Sequence, residues 1–311
     1  MKAVFLDATT LGNDVDLTPI EQVAGGIVKH AATAPGEVLE RIRGFDTVLV
    51  NKVVLTRAHI EQCPELKTIA VVATGLNNVD LKAAKDHGVR VLNVTNYGRS
   101  TVAQHTMALM LALATRLLDY DRDVRAGRWG KSDMFCLMDH PILELEGRTL
   151  GIIGYGDLGQ GVAERAKAFG MKILLGARPG QPAGETDGYP RIPLDELLSQ
   201  VDVLSLHCLL TDETRNLIGA RELQMMKPDA LLINTSRGGL VDEQALADAL
   251  RNGVIGGAGF DVLTEEPPQN GNPLLADGIP NLIVTPHSAW ASREARQRIV
   301  EITAHNLASV S

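Results

Sequence analysis

Three segments in the second half of the chain each leave a reactive side chain just beyond an apolar, strand-like run. They are Arg237 in ALLINTSRGG, Glu266 in GAGFDVLTEEPP and His287 in NLIVTPHSAW. Open α/β sheets build their sites at the carboxyl ends of strands. Reducing a 2-keto acid needs a cation to hold the carboxylate and polarise the carbonyl, and an acid to protonate the emerging alkoxide. Arg237 and His287 can supply those two functions. Glu266, within hydrogen-bond reach of His287, would favour the imidazolium and hold its orientation. Singly, each has a plainer reading: Arg237 as a surface charge, His287 as a loop residue satisfying a carbonyl, Glu266 as a solvated group before Pro267 and Pro268.

A second constellation is Gly154-Tyr155-Gly156-Asp157-Leu158-Gly159, a G-x-G-x-x-G placed directly after the strand-like TLGIIG and before a helical run. Gly154 permits the tight strand-to-helix turn, Gly156 lets a pyrophosphate approach bare backbone, and Gly159 lets the helix sit close to the strand. The helix N-terminus adds free N–H groups and a partial positive charge. A sterically required glycine turn is the plain alternative, and the strand-turn-helix-strand context favours a dinucleotide. An acidic residue about 20 positions on would hold the adenosine ribose hydroxyls. Gly176, Ala177 and Arg178 stand there instead. A carboxylate repels a 2'-phosphate, whereas a guanidinium welcomes one, so NADP(H) is expected over NAD(H), with NAD(H) still possible.

The elements that must position these residues are legible as alternating short apolar runs and helical patterns. KAVFLD, TVLV, LKTIAVV and VRVLNV read as buried strands of a first unit, and RTLGIIG, MKILLG, VDVLSLHC, ALLINTS, VIGGAGFDV and NLIVTPH as strands of a second. That alternation is the signature of doubly wound parallel sheets with helical crossovers. Ser100 to Arg125 reads as one long, largely buried helix, and Ser292 to Ala308 as a helix packing back on the first unit.

The length of 311 residues favours two compact units. A net charge of -8 with interspersed signs supplies no basic stripe, so nucleic acid is not an expected partner. The apolar run Ala3 to Leu6 is far shorter than a signal-peptide core, and no apolar stretch is long enough to span a bilayer. A cytoplasmic protein without membrane contact is therefore expected. Cys63, Cys136 and Cys208 form no C-x-x-C pair and read as structural thiols, and no bound metal is expected.

INTSRGGLVDEQAL, GGAGFDVLTEEPP and TPHSAW, in that order and spacing, resemble the three signature blocks of the D-isomer-specific 2-hydroxyacid dehydrogenases. The likeness extends from VVATGLNNVD and TVAQHTMALML through GIIGYGDLGQGVAERAKAFGMKILL to the end of the chain. It implies an α/β architecture of two doubly wound parallel-sheet domains, a flavodoxin-like substrate domain (residues 1–97 and 288–311) interrupted by an inserted Rossmann cofactor domain (98–287). It further implies Arg237 as substrate-binding cation, His287 as acid/base, Glu266 as its partner, and the backbone of Ala73, Thr74 and Gly75 as the grip on the substrate carboxylate. Thr214, Thr235, Ser236 and Asp261 match cofactor-lining positions, Asp261 near the nicotinamide amide. His207 and Cys208, in LHCLLTDET, belong to that lining too; Leu209 replaces the family's usual proline there.

A homodimer built largely through the cofactor domain is also implied. FCLMDHPILELEGRTLGI and TPHSAWASREARQRIV look most like hydroxypyruvate reductases (glycerate dehydrogenases), which commonly accept glyoxylate, with Phe135, Cys136, Leu137 and Trp290 able to shape the pocket. Another 2-hydroxy acid is the nearest alternative. A dinucleotide-sensing interaction protein on the same fold is a second reading, which lack of turnover over a panel of 2-keto acids would favour.

Overall fold

The structure, a computed structural model, describes residues 1–310. The chain divides into two compact units, one formed by Met1–Gly98 with the segment from Trp290 onward, the other by Arg99–Ala289.

In the first unit, β1 (Ala3–Phe5), β2 (Ile27–Lys29), β3 (Thr47–Val50), β4 (Thr68–Val71) and β5 (Arg90–Leu92) form a parallel sheet of order β2-β1-β3-β4-β5, the flavodoxin-like arrangement. Helices α1 (Thr18–Ala24), α2 (Val38–Ile42), α3 (Arg57–Glu61) and α4 (Leu81–Asp86) make the crossovers. The central strands β1, β3 and β4, buried on both faces, need no polar alternation, which is why they are nearly continuously apolar. Val4, Val48, Val50, Ile69 and Val71 pack into one core with Ile42 and Ala83. Phe5, Leu49 and Ala70 point to the other face, where Ile299, Val300 and Leu307 of the C-terminal helix Arg293–Ala308 join them.

The second unit opens with α5 (Arg99–Ala114) and α6 (Leu117–Arg125). There follow β6 (Thr149–Ile153), α7 (Asp157–Ala168), β7 (Lys172–Gly176), β8 (Gly184–Thr186), β9 (Tyr189–Ile192), α8 (Leu194–Gln200) and β10 (Val203–Leu206). The unit is completed by α9 (Ala220–Met225), β11 (Leu231–Asn234), α10 (Glu243–Arg251), β12 (Gly257–Phe260) and β13 (Leu282–Val284). The sheet order is β13-β12-β11-β10-β6-β7-β9-β8. Strand order reverses between β6 and β10, the switch point at which doubly wound sheets open a crevice for ligands. Two cores sandwich the sheet: Leu150, Ile152, Val203 and Ile233 face α5 and α7, and Ile153, Leu204, Leu206 and Leu232 face α8 to α10.

Three departures from the sequence expectations have local causes. The helix expected over Ser100 to Arg125 is broken between α5 and α6, where Arg116 adopts φ +54° and its guanidinium folds back onto Asp119 at 2.6 Å. The second sheet is not wholly parallel, because β8 runs antiparallel to β9 at its edge. That hairpin turns through Asp187 and Gly188, both with positive φ, so the Asp-Gly dipeptide between Thr186 and Tyr189 was a usable hairpin signal. Strand β2, three half-buried or exposed residues at a sheet edge, carries no continuous apolar run to announce it.

Candidate active site

The glycine loop has the geometry its spacing requires. Gly154, at the end of β6, has φ +98°, and a Cβ there would lie 2.4 Å from the Cys208 nitrogen and the His207 carbonyl carbon. Bare backbone is what allows the β6 and β10 ends to meet at the switch point. A Cβ on Gly159 would come within 2.3 Å of the Gly154 carbonyl oxygen, so α7 packs on the turn only through glycine. At Gly156 nothing lies within 4 Å of a Cβ position, and the residue is exposed. That open side, at the N-terminus of a 12-residue helix, suits an anion. Tyr155 packs edge-on to Tyr189, Leu158 is half-buried, and Asp157 receives Arg99 at 3.1 Å while its buried Oδ2 has no protein partner.

Across the switch point, burial pushes the His207 pKa down to about 4, so the ring is neutral. Its Nε2 lies 2.8 Å from Ser205 Oγ, and its buried Nδ1 has no protein partner. Burial raises the Cys208 thiol despite the nearby positive charge of Arg178. Arg178 is exposed on the rim of a pocket of about 250 Å³ lined also by Ala177, Gln181, Pro193 and Leu194. The unpartnered His207 Nδ1, the open glycine and the rim guanidinium together fit a dinucleotide.

The three reactive residues come together at the ends of β11, β12 and β13. Asn234, fully buried at the end of β11, donates from Nδ2 to the Arg237 carbonyl at 2.9 Å and accepts the Ser236 amide at 3.1 Å. That closes the turn on which the exposed Arg237 stands. The turn presses on the segment leading to Glu266, since a Cβ on Gly238 would lie 2.0 Å from the Leu263 carbonyl carbon. Gly238 thus belongs to the site through a contact between two loops distant in sequence, which no local pattern signals.

Glu266 uses both carboxylate oxygens. Oε1 accepts the Leu263 amide at 2.8 Å and Oε2 lies 2.6 Å from His287 Nδ1. Burial pushes this carboxyl up, but the hydrogen bonds from His287 and Leu263 and the charges of His287 and Arg237 outweigh it and hold Glu266 below the usual value. The Glu266 loop is secured from outside by Glu243, which accepts the Thr264 amide and the Asn272 side chain, each at 2.7 Å. His287 itself has φ +53° and follows Pro286. Few L residues adopt that conformation unless their surroundings impose it.

The remaining expected residues serve this framework in different ways. Asp261, 1% exposed, spends its carboxylate on the Thr285 hydroxyl and the amides of Ser288 and Ala289. Thr235 Oγ1 meets Thr106 Oγ1 at 3.0 Å, and Ser236 donates to the Cys208 carbonyl at 2.7 Å. Thr214 closes the loop after β10 by donating to the Leu209 carbonyl at 2.7 Å. Ala73, Thr74 and Gly75 lie in the other unit at the end of β4, where Thr74 donates to the Val94 carbonyl at 2.8 Å. Phe135 is 87% exposed, whereas Cys136 and Leu137 are half-buried. Among the described residues, no group of three or more His, Cys, Asp or Glu side chains is placed to hold a metal, and no helix is long and apolar enough to cross a membrane.

Comparison with known proteins places the chain among close relatives. Residues 107–289 match the family model described as D-isomer specific 2-hydroxyacid dehydrogenase, NAD binding domain. A glycerate dehydrogenase of Methylorubrum extorquens is 48% identical over 309 residues, covering 98% of this chain and 95% of the relative. A hydroxypyruvate reductase of Blautia hydrogenotrophica is 39% identical over 310 residues, covering 99% and 96%. Among solved structures, the TT0316 protein of Thermus thermophilus superposes with a TM-score of 0.86 at 34% identity, over 100% of this chain and 96% of that one.

Proposed function

This chain belongs to the D-isomer specific 2-hydroxyacid dehydrogenase family, and from that premise we propose that it reduces hydroxypyruvate, with glyoxylate as a second substrate, to the D-2-hydroxy acid. It is an NAD(P)-dependent 2-hydroxyacid dehydrogenase. The observation that carries the mechanism is the 2.6 Å pair of His287 Nδ1 and Glu266 Oε2, set beside Arg237 at adjoining strand ends.

In this reading residues 98–287 form the cofactor domain and the rest of the chain the substrate domain. Gly154, Gly156 and Gly159 form the cradle for the pyrophosphate, with His207 and Cys208 along its wall. The bound nicotinamide supplies the hydride that reduces the carbonyl carbon. Arg237 holds the substrate carboxylate and draws electron density toward the carbonyl oxygen. His287, held at Nδ1 by Glu266, gives its Nε2 proton to that oxygen as the alkoxide forms. Glu266 stays ionised throughout and keeps the ring edge fixed. In the reverse direction the neutral ring takes the hydroxyl proton back.

Two finer assignments belong to the same proposal. Arg178, standing where an acidic residue would select the ribose hydroxyls, favours NADPH. The chain forms a homodimer through the second unit, where Leu117, Trp129, Met134, Phe135, Met138 and Ile142 are all at least half exposed. A kinetic matrix of hydroxypyruvate, glyoxylate, pyruvate and phosphohydroxypyruvate against NADPH and NADH tests the reaction. The highest kcat/KM is expected for hydroxypyruvate with NADPH, and turnover confined to another acid or to NADH overturns the respective assignment. Sedimentation of the wild type and of Phe135→Asp tests the dimer.

A further inference from the structure

One polar stripe of α5 is directed at the segment that carries His287. Thr101 and His105 lie one helical turn apart on the same face. Thr101 Oγ1 donates to the Ala289 carbonyl at 3.0 Å, and His105 Nε2 lies 2.9 Å from Thr285 Oγ1. The Thr285 hydroxyl is in turn 2.5 Å from Asp261 Oδ1, which also lies 3.5 Å from His105 Nε2 itself. A carboxylate only accepts, so the single hydroxyl proton goes to Asp261, and Thr285 accepts from His105. The donor in that contact is therefore His105 Nε2–H.

Asp261 passes the constraint on. Its Oδ1 accepts the Ser288 amide at 2.9 Å and its Oδ2 the Ala289 amide at 2.8 Å. His287 therefore sits between Thr285 and Ser288, both tied to one buried carboxylate, and its φ of +53° lies within that bracket. Glu266 fixes the ring edge; Asp261 fixes the backbone from which the ring projects.

We infer that His105 is a positioning residue for the proton donor: its N–H orients the Thr285 hydroxyl onto Asp261, which holds His287 in the left-handed conformation that aims its ring. The inference rests on the reading of His287 as the acid. It does not give His105 any contact with substrate. Displacing a reacting group by a fraction of an ångström costs rate far more than binding, so the signature is a fall in kcat.

The test uses the full-length enzyme with hydroxypyruvate and NADPH, and the variants His105→Leu, His105→Gln, Thr285→Val and His287→Ala, with His105→Leu also placed in the His287→Ala background. His105→Leu removes the donor and is expected to lower kcat about tenfold with the KM for NADPH nearly unchanged. His105→Gln retains an N–H at a similar reach and restores most of the rate. Thr285→Val removes the relaying hydroxyl at a residue of equal size, leaving only the longer 3.5 Å approach of His105 to Asp261, and reproduces most of the loss, which keeps the test valid if His105→Leu folds poorly. In the His287→Ala background the His105 substitution has little further effect, since there is no ring left to aim. Wild-type kcat in Thr285→Val, no rescue by Gln, or an undiminished loss on top of His287→Ala overturns the inference. An undiminished kcat in His287→Ala alone overturns the acid assignment instead.

Discussion

Replacing Glu266 by Gln changes one atom and isolates what the carboxylate does for His287. The amide oxygen can still accept from the Leu263 N–H, so the loop is kept, but an NH2 group now faces Nδ1, to which it can donate but from which it cannot accept. A hydrogen bond to a charged group contributes about 1.5–3 kcal/mol. Here both side chains retain about a third of their exposure, 34% for His287 and 33% for Glu266, which puts the contribution near the lower end. At about 1.4 kcal/mol per factor of ten, the loss in kcat/KM for reduction is about tenfold at neutral pH.

The pH dependence distinguishes this from general damage. Glu266 is held below the usual carboxyl value, so the deficit of Glu266→Gln is full at neutral pH and shrinks only as pH falls through that depressed value and the wild-type carboxylate loses its charge. Steady-state NADPH oxidation with hydroxypyruvate varied through its KM, from neutral to acid pH, reads kcat/KM for both enzymes. No loss at neutral pH, or a loss that persists undiminished where Glu266 is protonated, refutes the argument that the carboxylate acts through its charge.

His287→Ala should lower kcat by about two to four orders of magnitude, as for removal of a general acid, measured in the same assay. Gly156→Ala should leave the melting temperature of the free protein unchanged, because its Cβ meets nothing within 4 Å, yet weaken NADPH binding about tenfold by fluorescence titration; Gly159→Ala, 2.3 Å from the Gly154 oxygen, should destabilise the free protein as well. Arg178→Ala should cut kcat/KM with NADPH about tenfold and leave that with NADH within a factor of about two, loss of one charge-assisted phosphate contact. Asp202, 5% exposed, bonds the Thr149 amide, Lys227 and Arg148, which overcome the upward push of burial and lower its pKa. A depressed carboxyl stabilises the fold above its unfolded value of 3.8, and this is lost as pH falls through the folded value. Asp202→Asn should therefore cost stability at pH 7 but show a flatter acid decline, by urea denaturation at pH 7 and pH 3.

What the linear chain determined by itself was the set of elements whose pattern is local. Continuous apolar runs marked most of the strands, because a parallel sheet buried on both faces needs no polar positions. The glycine loop was readable as a tight turn and a close helix contact, since the positive φ at Gly154 and the packing of Gly159 on the Gly154 carbonyl act within one short stretch of chain. Arg237, Glu266 and His287 were legible as residues following strands, and Arg178 as a cation in an acidic residue's place. The pieces that escaped were short edge strands and the break at Arg116, where a single left-handed residue outweighs a strongly helical composition.

Only the tertiary structure decided how those residues act on one another. Glu266 and His287 are 21 positions apart, and their 2.6 Å contact exists because β12 and β13 are neighbours in the sheet. Gly238 matters because the Arg237 turn touches Leu263, and His105 because α5 crosses behind the end of β13. Neither role leaves a mark in local sequence: a glycine after an arginine and a histidine in a helix look ordinary until a distant backbone arrives beside them. Hydrogen bonds and steric exclusion fall off within a few ångströms, so a residue's partners are set by the topology that brings strand ends together, not by its neighbours along the chain.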